Sequence, residues 1–406
     1  MKISPYLTNI GYLNLKDIII LLLGILVSIA FARLVPQYMF GYYQLILALL
    51  VMLSILALPG FQTAIVQSVA RDFDKSYRKV VKIRFKWSLI GTLVLMTIGI
   101  IYCILEELFL SFLFIISGIF FPFMFSFNSW DFFLQGKEKF DLSARWSILQ
   151  QIIVSFSVIF AIIFFSNYII VLISAYLISV SITNVFLYRR SLKLVNGVKE
   201  DPDLFRYGFF LTKISFLGLL ASNIDKLLVG LLIGVDELAV YVIVSLIAIR
   251  LKDLLKNFTT IFLPKLSKEQ LNLIDILKNE KGKLSIISVI LVTFAVLFYF
   301  TIPIVNFFLF GENYAQHIFL SQIFSISVFL AIPLSFLGRV IQSKKDTLAF
   351  IITNPIFYII RIGLNLILIC NFGLIGIIWA FNLSYIIWFF LHLFSLIFTD
   401  IEHIRE

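Results

Sequence analysis

Long apolar runs separated by short polar gaps make up almost the whole of this chain. Windows of about twenty mostly apolar residues, the helix length that crosses ~30 Å of hydrocarbon, occur at approximately 16–35, 41–69, 87–105, 108–127, 146–165, 168–188, 207–233, 238–263, 284–309, 316–337, 347–370 and 374–399. A membrane barrel would show alternating segments of about ten residues instead. The pattern therefore predicts an all-α membrane protein with about twelve transmembrane helices. Segments 71–86, 137–145, 189–206, 265–283 and 339–345 carry seven, three, five, five and three Lys or Arg, and the six short loops on the other side carry none. That alternation follows the rule that cationic loops stay on the cytoplasmic side. With Lys2, Lys16 and Arg405 it places both termini in the cytoplasm.

The pattern also repeats weakly. Gly41-Tyr42-Tyr43-Gln44-Leu45-Ile46 opens the second window and Ala239-Val240-Tyr241-Val242-Ile243-Val244 opens the eighth; Gln135-Gly136-Lys137 precedes the fifth and Gln342-Ser343-Lys344 the eleventh. An offset of six spans is even, so the two copies share one orientation and are related by an axis along the membrane normal. The expected organisation is an N-terminal six-helix lobe over 1–190, a cytoplasmic linker over 191–206 containing Asp201-Pro202-Asp203, and a C-terminal six-helix lobe over 207–406. Parallel lobes of this kind are a usual build of alternating-access transporters.

Composition narrows the class further. A chain that is 61% hydrophobic, with a mean hydropathy of +1.04 and 45 Phe, cannot hide its apolar surface in a water-soluble core. The net charge of +10 is accounted for by the cytoplasmic loops and their contact with anionic lipid, and calls for no nucleic-acid partner. Cys103 and Cys370 lie in apolar runs without a neighbouring ligand and are expected as small core residues. The three His are scattered, and no phosphate loop, nucleophile elbow or dinucleotide fingerprint occurs, so neither a metal nor a cofactor nor an enzyme activity is expected. The N-terminus shows no cleavable leader, and the first helix is expected to remain as a span.

Seven cations nevertheless fall inside the windows: Arg33, Lys213, Lys226, Arg250, Lys252, Lys256 and Arg361. An ionised group in hydrocarbon costs at least about 2.5–3.5 kcal/mol, so such residues normally face a wet interior. The eighth window is apolar only from Leu238 to Ile249, about 18 Å of helix, and must continue through Arg250, Lys252, Asp253 and Lys256 towards Pro264. Arg250, Asp253 and Asn257 share a stripe with Lys252 and Lys256 beside it, a polar face predicted to line a central cleft. In the eleventh window Asn354, Tyr358, Arg361 and Asn365 share one face, and Arg361 sits about 22 Å from Asp346, too deep to snorkel. Asn354-Pro355 marks a kink. Lys213 either snorkels or meets a ligand, Arg33 is either an interfacial anchor or the upper cation of the cleft, and Asp225 either neutralises a neighbouring cation or serves as a proton or Na⁺ site. A cationic cleft handles an anionic cargo.

Several motifs resemble one family. Phe31-Ala32-Arg33-Leu34 with Gly41-Tyr42-Tyr43, Gly60-Phe61 and Val69-Ala70-Arg71, then Ile224-Asp225-Lys226-Leu227-Leu228 with Gly230, Tyr241 and Phe262-Leu263-Pro264, and finally Phe310-Gly311-Glu312-Asn313-Tyr314 and Asn365 through Gly376, look like the polysaccharide-exporting Wzx flippases. These belong to the multidrug/oligosaccharidyl-lipid/polysaccharide exporter superfamily. Val35 and Ala239 stand where that family usually has Gly, away from the charged positions. The resemblance implies translocation of an undecaprenyl-diphosphate-linked oligosaccharide across the bacterial cytoplasmic (inner) membrane, for O-antigen, lipopolysaccharide or capsule. It also implies H⁺ or Na⁺ as an optional coupling ion, and a polysaccharide polymerase and chain-length machinery as partners. Peptidoglycan-precursor relatives usually carry two further helices, so twelve spans favour a surface-polysaccharide repeat unit.

Diphosphate recognition suits the bidentate fork of Arg. The expected substrate-binding residues are Arg33, Arg250 and Arg361, with Lys226, Lys252 and Lys256 as point charges and Asn365 for the sugars; Tyr358, Trp379 and Tyr385 are sugar-stacking or packing residues. Asp225 is the candidate coupling residue. The rival readings are a multidrug/cation antiporter of the same superfamily, which would favour an acidic lumen, and a polyprenyl-sugar polymerase, which would need a large outer loop.

Overall fold

The computed structural model describes residues 5–197, 199–259, 281–343 and 347–405, and every regular element among them is helical. The helices are α1 (Pro5–Leu34), α2 (Gln37–Leu53), α3 (Gly60–Ala70), α4 (Ser76–Ile104), α5 (Leu108–Ser126), α6 (Trp130–Gly136), α7 (Phe140–Phe165), α8 (Ile169–Ser191), α9 (Leu204–Leu228), α10 (Val235–Thr259), α11 (Lys281–Phe310), α12 (Phe319–Phe329), α13 (Ala331–Ser343) and α14 (Thr347–Arg405). Ten helical stretches among the described residues are long and apolar enough to cross a membrane. The last of them, Thr353–Ile397, runs for 45 residues within α14 and reverses at Gly373 (φ 58°, ψ −134°), so α14 contains both the eleventh and the twelfth sequence windows. The eighth window coincides with α10, whose continuation to Pro264 lies outside the described residues. The chain is thus a multi-pass, all-α membrane protein, and packing divides it within α9 into two compact units, Met1–Asn223 and Ile224–Glu406.

In the first unit two spans are broken. The chain leaves α2 through a tight turn, Ser54–Ala57, and Leu58 adopts a left-handed conformation (φ 53°). Pro59 follows, and proline disfavours the right-handed helical region for the residue before it. Gly60 then begins α3 because nothing larger fits: a Cβ there would stand 2.2 Å from the Thr212 nitrogen and 2.6 Å from the Gly208 oxygen of α9. Its N–H donates to Thr212 Oγ1 at 3.2 Å. The second break follows α5, at Phe127–Ser129. Pro122 inside α5 offers no N–H to the Gly118 carbonyl, and Thr92 Oγ1 of α4 supplies that donor at 2.9 Å. Asn184 Nδ2 of α8 donates to the Met124 carbonyl, in the last turn of α5, at 2.9 Å.

Below these breaks Phe61, Tyr77, Trp130 and Phe133 form a buried core, with Tyr77 stacked on Phe133 at 4.3 Å. The stretch 191–206 is bound to this unit. Ser68 Oγ donates to Asp201 Oδ2 (2.6 Å), Asp201 N–H to Ser76 Oγ (2.8 Å), and Asn196 N–H to Asp74 Oδ2 (3.1 Å), which also pairs with Lys137 Nζ (2.6 Å). Lys79 donates to the exposed Glu200 at 3.1 Å and holds its carboxyl below the ordinary value, with Lys75 adding to the effect.

Two expectations are corrected. The basic segment 71–86 is mostly helix rather than loop, because α4 begins at Ser76, and Arg84 within it is buried. Cys103 and Cys370 are exposed on their helices rather than placed in a core. Both lie in apolar runs whose outer faces meet lipid, where an apolar side chain gains nothing by turning inward.

The second unit begins at the end of α9, where Val229–Ile233 widens into a π turn that closes at Gly234 (φ 147°). Asp236 and Glu237 occupy the first turn of α10, favourable positions at the positive end of a helix. Tyr241, Phe324, Phe381 and Tyr385 are buried together, and Phe357 stacks on Trp388 at 4.1 Å.

Close helix approach in the first unit yields a test. A Cβ at Gly91 would lie 2.3 Å from the Phe121 ring, whereas at Gly11 nothing lies within 4 Å. Gly91→Leu is expected to lower the thermal midpoint in detergent by an amount corresponding to about 1–3 kcal/mol, and Gly11→Leu to leave it unchanged.

Candidate functional site

The buried ionised groups of the second unit converge from three helices. Asp225 comes from the last turn of α9, Tyr241 and Lys252 from α10, and Arg361 from the first limb of α14. Tyr241 and Lys252 are eleven residues apart, about three turns, and so share a face of α10. Each is at most 8% exposed.

Asp225 is the hub. Tyr241 Oη donates to its Oδ2 at 2.6 Å, Arg361 Nη2 donates to the same oxygen at 3.3 Å, and the N–H of Lys226 donates to Oδ1 at 2.9 Å. Burying a carboxylate alone would cost several kcal/mol, and three donors of this kind are what such a group requires. Lys252 is held differently. Its Nζ donates to Tyr385 Oη at 2.9 Å and lies 4.2 Å from the centroid of Phe381 and 4.1 Å from that of Tyr385. Arg361 Cζ lies 5.0 Å from the same Phe381 ring. One aromatic ring therefore serves two cations, through the negative potential of its π cloud.

The cluster is left with polar capacity to spare. Arg361 Nε has no hydrogen-bond partner among the described residues, and neither amide atom of Asn365, which is 1% exposed, has one. Arg361 and Asn365 stand one turn apart on α14, so they form a donor, a donor and an acceptor on one helix face. Of the three ionised groups, two are cations and one is a carboxylate, leaving one surplus positive charge. Such a set can take an oxyanion or a hydroxyl-rich group, and the carboxylate can exchange its arginine for another cation.

The remaining predicted residues are distributed as follows. Lys226 is half-buried next to Asp225, while Arg250 and Asp253 are exposed on α10. Arg33, in the last turn of α1, is exposed on the first unit, as is Lys213 on α9. The Lys256 and Asn257 side chains lie outside the described residues. Structure thus gathers Asp225, Lys252 and Arg361 with Asn365 on the same face, and adds Tyr241 and Phe381. Tyr241 was legible as a hydroxyl in an otherwise apolar helix face, which needs a buried partner. Phe381 carried no signal, since a phenylalanine among 45 is indistinguishable from packing. Among the described residues no group of three or more His, Cys, Asp or Glu is arranged to hold a metal ion.

Comparison with known proteins agrees with this architecture. The family model described as "Polysaccharide biosynthesis protein" matches residues 6–270. No curated protein matches the chain in sequence. Among solved structures, "Lipid II flippase MurJ, inward closed conformation" superposes with a TM-score of 0.72 at 16% identity, covering 94% of this chain and 86% of that chain. An inward-facing multidrug resistance MATE family transporter of the MOP superfamily gives 0.68 at 14% identity, with 92% and 94% covered. A MOP superfamily transporter from Pyrococcus furiosus, described as having a binding pocket of reverse polarity, gives 0.61 at 14% identity, with 96% and 95% covered. What is shared with these structures is the fold.

The Asp225–Arg361 pair makes a measurable prediction about stability. Asp225→Leu leaves a buried guanidinium uncompensated and should destabilise the protein by about 3–5 kcal/mol. The double variant Asp225→Leu/Arg361→Met should recover most of that loss in detergent thermal unfolding. Additive losses would mean that the two residues are not coupled.

Proposed function

Because the chain belongs to the polysaccharide biosynthesis protein family, we propose that it is a flippase translocating an undecaprenyl-diphosphate-linked oligosaccharide repeat unit from the cytoplasmic to the outer leaflet by alternating access. The observation that carries this reading is the buried basic cluster of Lys252 and Arg361, with Arg361 Nε and the Asn365 amide still unpartnered among the described residues. A diphosphate in a low-dielectric passage needs cations and fixed donors, and a guanidinium fork provides both. Asp225 neutralises Arg361 between substrates, and the incoming phosphate takes over part of that role. Arg33, Lys226, Arg250 and Lys256 are the further cations assigned to the diphosphate in this reading, and Asn365 is assigned to sugar hydroxyls.

Two anionic charges leaving the cytoplasm are assisted by the membrane potential, by about 2.3 kcal/mol per charge per 100 mV of drop crossed. An H⁺ or Na⁺ taken up at Asp225 would add to this drive without being required for it. The setting is the bacterial cytoplasmic membrane with both termini inside, the six-helix lobes 1–190 and 207–406 being the moving parts. The product is O-antigen or capsule, assembled with a polymerase and chain-length partners. The fold shared with a lipid II flippase and with multidrug transporters accommodates either cargo, and the buried pair of cations favours the anionic one.

Arg361→Ala and Arg250→Ala are expected to abolish surface polysaccharide, seen by gel in a strain lacking a redundant flippase, while the protein still accumulates in the membrane. Full-length glycan from both variants would sink the diphosphate reading. Intact glycan in a deletion strain that has become sensitive to cationic drugs would replace it with an antiporter.

A further inference from the structure

In the first unit one buried side chain touches both broken spans. Arg84 of α4 is 1% exposed. Its Nε donates to the Ala57 carbonyl at 2.9 Å, and its Nη1 donates to Asn128 Oδ1 at 3.0 Å and to Ser129 Oγ. Ala57 ends the turn that follows α2, and Asn128 and Ser129 form the turn that follows α5. All three acceptors are neutral, and Arg84 forms no ion pair among the described residues. Gln62 Nε2, on the first turn of α3, donates to the same Asn128 Oδ1 at 3.0 Å.

A buried guanidinium without a carboxylate is an expensive way to fill space, and an apolar side chain would pack there at lower cost. What the fork supplies is geometry, because one planar group can hold two separate breaks at a fixed distance. The broken ends expose carbonyls that no helical N–H reaches, and Arg84 covers one of them directly. Leu58, next to Ala57, is held left-handed, a conformation that persists in a residue other than glycine only when its surroundings enforce it.

The segments beyond the two breaks are tied together. α3 and α6 cross so closely that a Cβ at Gly136 would lie 2.9 Å from the Val66 oxygen. Ser68 and Lys137, at the far ends of these two helices, are bonded to Asp201 and to Asp74 respectively. α4 runs unbroken past both sites.

We propose that Arg84 is a positioning residue for the transport cycle. It locks the α2–α3 and α5–α6 breaks into a paired hinge on α4, about which α3 and α6 turn as one body. Hinges of this kind concentrate a φ/ψ change at a few element ends, and a shared anchor makes two such ends move in step. The proposal is independent of which cargo the protein carries.

Spin labels at Tyr38 and Thr63 report the first break, and labels at Ile119 and Lys139 report the second; Cys103 and Cys370 are replaced by Ser, and the purified full chain is held in lipid nanodiscs. In the otherwise unchanged protein both distance distributions should be narrow. In Arg84→Met both should lose that narrowness. In Arg84→Lys, whose single ammonium cannot bridge two breaks, at least one should lose it. Asn128→Ala/Ser129→Ala removes one arm of the fork, and with it the Gln62 bond, and should loosen the Ile119–Lys139 pair, which keeps the idea testable even where Arg84→Met does not fold. Narrow distributions in Arg84→Met with only a lower thermal midpoint would reduce Arg84 to packing. Arg84→Lys matching the parent at both pairs, or no change in the Asn128→Ala/Ser129→Ala protein, would equally overturn the hinge. None of these measurements needs a substrate, so their failure is separable from failure of the flippase reading, which is judged on surface glycan.

Discussion

A charge inside a membrane span must find partners within the protein, since hydrocarbon supplies none. Much of the interior of this chain follows from that requirement. Arg84, Asp225, Lys252 and Arg361 are all buried on helices, and each is met by an acceptor, a donor or an aromatic ring that the helices hold in place. The helix breaks, the close crossings at glycine and the aromatic cluster become intelligible as ways of bringing those partners within reach.

The two units satisfy the requirement by different chemistry. In the first, Arg84 bonds among the described residues to three neutral oxygens at two helix breaks, one a backbone carbonyl and two on side chains, so the charge is spent on fixing the breaks. In the second, Asp225 compensates Arg361, and the rings of Phe381 and Tyr385 hold Lys252, so charges are held by groups that can exchange partners. The first arrangement is suited to geometry and the second to a passing anion. Buried ion pairs contribute little net stability against a well-packed apolar alternative, which makes function the better account of why the second unit keeps one.

Much of this was legible along the chain because bilayer thickness imposes length. Ten helical stretches among the described residues are long and apolar enough to span, the last of them holding two windows on either side of Gly373, and the described part of the eighth window is α10. Arg361 and Lys252 were also legible, since helical spacing from a polar end measures depth without any fold. Arg84 was not. It stands in a run of seven cations and reads as one more member of a basic loop, because nothing local distinguishes a helix that starts at Ser76 from one that starts ten residues later.

The sequence by itself determined that the chain spans a membrane as helices, and that Lys252 and Arg361 stand well inside them; both follow from one-dimensional quantities, run length and residue spacing. Only the tertiary structure decided which charge pairs with which. Asp225 meets Arg361 across 136 positions and Lys252 meets Tyr385 across 133, and no local pattern encodes such separations. Pairing depends on how helices cross, and the crossings are set by where glycine admits a backbone and proline denies a hydrogen bond. The cationic interior read from the chain is therefore, in its buried core, a partly neutralised pair beside one lysine held over aromatic rings.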